Sequence, residues 1–360
     1  MGNAPPRGIV LAICSALALT IAMNGRAGAD GGAGCGPFGN APAKMYASEK
    51  PACGRGEMLG PWKDADGTDR YACLYAPQAH EPGRRLPLLV YLHPSLFGAW
   101  TVKWTNLLDV ARTSALGEGA AHGYVVLAPE GRNTAHRYPW PDNTGFGWDN
   151  WYRQLSPGGD VKIGQLVYRE NVDAAAIDHF IDEAARTAMV DTRRIYVSGW
   201  SNGAAMAVLY AVSRPDVAAA AVYSAPDPFG ALGDPCPQTP VAHAPANGGE
   251  VTIFNTRAAI MNVHNACDIE GICPNSGKLA RELRATGVEF DDVIVDAYDK
   301  RVTACVADCG TDPNGGLSLL QSPLSWFLAL HRHGNWPDAW TPAMLDFLRA
   351  HPLHPAAPQF

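Results

Sequence analysis

The sequence predicts an α/β fold with a mostly parallel central sheet flanked by helices, and three observations predict it. Apolar runs of strand length alternate with longer runs of helical period along most of the 360 residues. One strand-like run, Ile195-Tyr-Val197, breaks into Gly199-Trp-Ser-Asn-Gly203, after which Ala204 to Val212 is apolar on every face, as in a helix packed beneath a sheet. Residues able to do chemistry recur just past the strand ends, where sites gather in sheets of this kind.

Composition narrows the class. Hydrophobic residues make up 47% and charged residues 18%, enough apolar material for one large core. A net charge of -7 with no long basic run excludes nucleic acid as a partner and favours neutral or apolar substrates. Residues 1 to 29 read as a secretory signal: Arg7 precedes an apolar run from Ile9 to Met23, and Ala27-Gly28-Ala29 is an A-x-A cleavage site. The run is short for a bilayer and no later segment is long enough to span one, so no membrane partner is expected. A secreted or periplasmic chain cleaved after Ala29 follows, with 30 to 360 as a single catalytic domain acting as a monomer.

Nine cysteines are present, and setting Cys14 aside with the signal leaves Cys35, Cys53, Cys73, Cys236, Cys267, Cys273, Cys305 and Cys309. An even number in an exported chain implies disulfides, whose pairing sequence alone leaves open. The shortest local pairs are Cys267 with Cys273 and Cys305 with Cys309, while Cys35 and Cys53 would pin an irregular arm over residues 30 to 60. Zinc-type C-x₂-C spacing is absent, so neither metal nor cofactor is expected.

The elements follow in order. Tyr71 to Tyr75 alternates as an edge strand, and Leu86-Pro-Leu-Leu-Val-Tyr-Leu-His-Pro94 is an apolar strand ended by His93-Pro94. Asn106 to Leu116 reads as a helix and Gly123 to Pro129 as a buried strand. Residues 131 to 168 have no steady period but carry Tyr138, Trp140, Phe146, Trp148, Trp151 and Tyr152, which form either a satellite cluster or a binding wall. Asn171 to Thr187 is an amphipathic helix leading into the strand before Ser201. Val217 to Tyr223, Ala258 to Val263 and Phe290 to Val295 read as strands, with Lys278 to Thr286 as a helix. Trp326 to Leu330 reads as the last strand and Thr341 to Ala350 as the last helix.

G-x-S-x-G on a strand-to-helix turn is the pattern of a nucleophile elbow, which points the serine Oγ into open space. A serine hydroxyl needs a base to take its proton and a carboxylate to orient that base. Downstream of Ser201, a strand ends in His264-Asn-Ala-Cys-Asp268, and the chain later carries His331-Arg-His333-Gly-Asn-Trp-Pro337. Asp268 is the candidate acid and His333 the candidate base, with His331 as its rival; His264 reads as a buried, hydrogen-bonded histidine.

On these motifs the chain resembles the extracellular polyhydroxybutyrate depolymerase and feruloyl esterase family of α/β-hydrolases, over about residues 70 to 350. His264-Asn-Ala-Cys-Asp268 resembles the family's His-Gly-x-x-Asp, with Asn265 in place of glycine. His333-Gly-Asn-Trp-Pro337 resembles its His-x-Trp-Pro with one extra residue. The resemblance implies an oxyanion hole from two backbone N–H groups, one on Asn202 and one on the loop His93-Pro94-Ser95; Pro94 has no N–H, so Ser95 is the candidate.

It also implies a secreted serine hydrolase cleaving esters of a polymer or bulky substrate, with Trp140, Trp148, Trp151 and Trp336 as candidate walls of an open groove. Feruloyl or acetyl xylan-type esters are an alternative substrate class. So are the β-diketones of oxidised polyvinyl alcohol, cleaved by a related branch with the same serine machinery. A non-catalytic binding protein is the remaining alternative, against which the Ser, Asp, His order speaks.

Overall fold

The computed structural model describes residues 48–64, 67–77, 83, 85–109, 123–133, 146–148, 161–163, 166–168, 171–188, 190–228, 255–269, 272–273, 276–306 and 323–353. The expected signal segment, Trp140, Trp151, Cys35, Cys236 and Cys309 lie outside the described residues.

A nine-stranded sheet forms the centre. Its strands are β1 (Glu57–Lys63), β2 (Asp69–Tyr75), β3 (Leu86–Leu92), β4 (Val125–Pro129), β5 (Val190–Trp200), β6 (Val217–Tyr223), β7 (Ala259–Asn265), β8 (Glu289–Val295) and β9 (Arg301–Val302), in the spatial order β1-β2-β4-β3-β5-β6-β7-β8-β9. From β4 through β8 every neighbouring pair is parallel, and β1, β2 and β9 join antiparallel at the edges. Val90 pairs with Val197, Val197 with Ala220, Ala220 with Ile260 and Ile260 with Phe290, so the central strands run in step.

Both faces of the sheet are covered, which is why β3 and β6 read as continuous apolar runs rather than alternating ones, and why β7 is buried along its whole length. Side chains of β3 divide between two cores: Leu88, Val90 and Leu92 pack in one, Leu89 and Tyr91 in the other. The first core is closed by α1 (Val172–Thr187), α2 (Asn202–Ser213) and α3 (Ser276–Ala285). The second is closed by the 3₁₀ turn Ala99–Trp104 and, beyond α4 (Pro323–His333), by α5 (Thr341–Ala350). Helix α1 starts where expected because the Asn171 side chain accepts from the N–H groups of Asp173 and Ala174, both at 3.0 Å.

Several expectations change. Tyr71 to Tyr75 is not the edge, since β1 pairs outside it, beginning in the last residues of the stretch expected to be irregular. Trp326 to Leu330 lies in helix α4 rather than a strand. A five-residue apolar run of Leu, Ala and aromatics is compatible with either state, and the sheet edge beside β8 is already taken by the β9 hairpin. Cysteine pairing departs from the local guesses: Cys53 joins Cys73 and Cys273 joins Cys305, with Cα atoms 5.3 and 5.7 Å apart. Cys267 is disulfide-bonded but not to Cys273, and Cys53 is not bonded to Cys35. Reach in space rather than closeness in sequence sets the pairing, since both observed pairs fall within the Cα separation a disulfide spans.

Candidate active site

Strands β3, β5, β6 and β7 end at one edge of the sheet, so the residues following them meet there. Ser201 sits at that edge with φ 56° and ψ -118°, a left-handed conformation a serine adopts only under constraint. The turn is tight enough that a Cβ on Gly199 or Gly203 would collide with backbone, of Gly203 in the first case and of Leu92 and His93 in the second. Ser201 precedes α2 but its Oγ makes no capping bond to the helix. Instead Oγ lies 2.7 Å from His333 Nε2.

His333 Nδ1 lies 2.8 Å from Asp268 Oδ1, so Nδ1 carries the proton and Nε2 accepts from the serine hydroxyl. Asp268 also accepts from Ser224 Oγ at 2.7 Å and from the Ile269 N–H at 2.7 Å. Burial pushes its carboxyl upward, yet His333, opposite it, and these donors outweigh burial and hold it below the ordinary value. Ser201, Asp268 and His333 are each less than 10% exposed, so the chain of hydrogen bonds runs largely out of water.

The structure brings His333, and not His331, to Ser201. On a helix, His333 shares a face with Leu330 and Ala329, which are buried, whereas His331 is rotated about 200° away and exposed. Had this segment been a strand, the two histidines would have shared a face. His264 is fully buried with Nε2 3.0 Å from Asp292 Oδ1, as expected.

On the other side of Ser201, Asn202 is the first residue of α2, where backbone N–H groups have no intrahelical partner. In the loop after β3, the Leu96 N–H is committed to the Phe146 carbonyl at 2.7 Å, leaving the Ser95 N–H as that loop's candidate donor. His93 orders the loop from below. Its Nε2 accepts from the Gly131 N–H at 2.8 Å, so Nδ1 carries the proton and donates to the Pro94 carbonyl at 2.8 Å. Burial holds the imidazole neutral, pulled down to about 4.

Two of the tryptophans expected to wall a groove, Trp148 and Trp336, sit elsewhere. Trp148 is 1% exposed; its indole N–H donates to the His93 carbonyl at 2.8 Å, and its backbone N–H donates to Asn202 Oδ1 at 2.8 Å. Trp336 packs edge-on against Tyr91, Trp200 and Tyr223 and donates to Thr341 Oγ1 at 2.8 Å. Both are core residues whose one polar atom is satisfied inside. A half-buried aromatic trio that sequence reading passed over, Phe97, Trp100 and Trp104, stands instead just after Ser95, with ring centroids 4.5 to 6.0 Å apart. Ser224 was also missed, although it follows a strand end exactly as the other candidates do, and that position was the available signal.

Donor atoms of His264, Cys273 and Cys305 lie within 4.8 Å of one another, but the two sulfurs are joined in a disulfide and His264 faces Asp292. A disulfide offers no thiolate to a metal.

No protein-family model matches the chain. Human dipeptidyl peptidase 8 is 22% identical over 165 residues, 46% of this chain and 16% of that protein, so the chain spans under a fifth of this curated relative's length. Among solved structures, a thermostable esterase gives a TM-score of 0.49 at 17% identity, covering 82% of this chain and 63% of that one. An S-formylglutathione hydrolase from Agrobacterium tumefaciens gives 0.49 at 10% identity, covering 85% and 98%. By its own strand order, its parallel register and the elbow that follows β5, the chain has the α/β-hydrolase fold.

Proposed function

We propose that the protein is a serine hydrolase of carboxylic esters with Ser201 as nucleophile, His333 as general base and Asp268 as the acid that orients it. The observation that supports this reading is the unbroken run of hydrogen bonds, Ser201 Oγ to His333 Nε2 at 2.7 Å and His333 Nδ1 to Asp268 Oδ1 at 2.8 Å. Ser201 Oγ attacks the ester carbonyl carbon as its proton passes to Nε2, and the carboxylate of Asp268 stabilises the imidazolium that forms. Charge developing on the carbonyl oxygen is met by the N–H groups of Ser95 and Asn202. Collapse expels the alcohol, protonated by His333, and leaves an acyl group on Ser201; water activated by the same imidazole then releases the acid.

The substrate we assign is a polymeric or otherwise bulky ester, handled by an exported enzyme. Disulfides between Cys53 and Cys73 and between Cys273 and Cys305 support an oxidising compartment. The partly exposed rings of Phe97, Trp100 and Trp104 beside Ser95 support a flat apolar surface for a chain longer than the acyl group itself.

The test pairs fluorophosphonate labelling with hydrolysis of a short nitrophenyl ester. Wild type should label at one serine and turn over, while Ser201→Ala should neither label nor retain more than about a thousandth of kcat. Retention of a tenth of the activity would overturn the assignment.

A further inference from the structure

The last three carbonyls of α4 each receive a side-chain donor. The carbonyl of His331 takes the Asn335 side-chain amide, that of Arg332 the Tyr223 hydroxyl at 2.7 Å, and that of His333 the Trp200 indole N–H at 2.8 Å. Terminal carbonyls of a helix have no intrahelical partner, so such donors fix where the last turn sits and how it is rotated. Two of the three come from the sheet edge beneath the nucleophile. Trp200 is the residue immediately before Ser201, and Tyr223 ends β6, its hydroxyl in turn held by the Asn265 amide at 2.8 Å.

Trp200 is buried and confined by its neighbours, at 6.3 Å from the Tyr223 ring and 6.1 Å from that of Trp336. It therefore measures the distance from the elbow backbone to the His333 backbone as a rigid strut. No other polar atom of Trp200's side chain exists to be satisfied, and none is diverted to solvent.

Resting on the hydrolase reading above, we infer that Trp200 is a positioning residue, the indole N–H of which locks the backbone of His333 so that its imidazole bridges Ser201 and Asp268. Tyr223 assists by seating Arg332. The pair selects which histidine serves as base: with the carbonyls of 332 and 333 pinned, the helix cannot rotate to present His331. A strand ending at this place would need no such array, because the sheet itself would set its register.

Trp200→Phe keeps an apolar ring among Tyr223 and Trp336 and removes only the donor, so it separates positioning from packing. On a short nitrophenyl ester, kcat should fall about ten- to a hundredfold while KM stays within about twofold, since misplacement of a catalytic group costs rate rather than ground-state binding. The fluorophosphonate labelling rate should fall with kcat. Tyr223→Phe should show the same pattern more weakly, and it carries the test if Trp200→Phe does not fold. Wild-type kcat with a wild-type labelling rate in the folded variant overturns the inference while leaving Ser201 as nucleophile. A wild type that neither labels nor hydrolyses overturns the hydrolase reading, and this inference with it.

Discussion

Ser224 shows how much of the site is set by single side chains. Its backbone lies at φ 53°, in the left-handed region, immediately after β6, and its Oγ donates to Asp268 Oδ2 at 2.7 Å. A hydrogen bond to a charged group contributes about 1.5–3 kcal/mol. Ser224→Ala should therefore raise the Asp268 pKa and lower kcat on a short ester about tenfold, with KM little changed; an unaltered kcat would mean that His333 and the Ile269 N–H suffice. His93 makes a second prediction at this scale. Its folded value of about 4 lies below the ordinary 6.5, because burial disfavours its cation and its Nε2 must accept from Gly131. Depression of this sign means that stability is fully present above pH 6.5 and is lost as pH falls through 4. The melting temperature of the wild type should drop across that window, and His93→Gln, which can still accept from Gly131, should show a flatter profile.

At the scale of elements, the central question is which aromatics meet the substrate. Trp336 fills the space between Tyr91, Trp200 and Tyr223, so Trp336→Ala should cost about 3–5 kcal/mol of stability and reduce activity on short and polymeric esters alike. Trp100 sits instead on the half-buried surface after Ser95, against Phe97 and Trp104. Trp100→Ala should raise KM severalfold on a polymeric ester while leaving a short nitrophenyl ester within about twofold. Parallel losses on both substrates in steady-state assays would show this trio to be structural and remove it from the binding surface. Helix α4 makes the complementary point: one change of secondary structure, strand to helix, decided between His331 and His333.

Across the whole molecule, a buried charge network ties the antiparallel edge to the site. Arg70 on β2, fully buried, donates to Asp64 at 3.2 Å and Asp173 at 2.6 Å, and reaches the Glu130 carbonyl at 3.3 Å; Arg132 shares Asp64. Beside it the Glu130 side chain accepts from the Ala99 N–H at 2.7 Å and is pushed by burial up to about 8 from an ordinary 4.5. A raised carboxyl binds its proton more tightly folded than unfolded, so the stability it contributes is present below pH 4.5 and is lost as pH rises through 8. Glu130→Gln should therefore stabilise the protein at alkaline pH, by an amount on the order of a kcal/mol or two, and do little near pH 5. Thermal unfolding of both forms at the two pH values checks this, and equal shifts at both would place the effect in packing rather than ionisation.

The sequence by itself determined the central strands, the elbow at Ser201 and the order in which Asp268 and His333 follow it, because each is written in local pattern. Period and turn chemistry mark β3 and β5 to β7, and the Gly-x-Ser-x-Gly turn admits few other conformations. Tertiary structure alone decided the rest. Trp148 and Trp336 look like groove residues until their neighbours are known, since burial belongs to a neighbourhood and not to a residue type. Cysteine pairing depends on which loops the sheet edge brings within reach. The choice of His333 over His331 depends on α4 being a helix whose last carbonyls are held by Trp200 and Tyr223, residues 133 and 109 positions earlier, and no local pattern can encode a contact that distant.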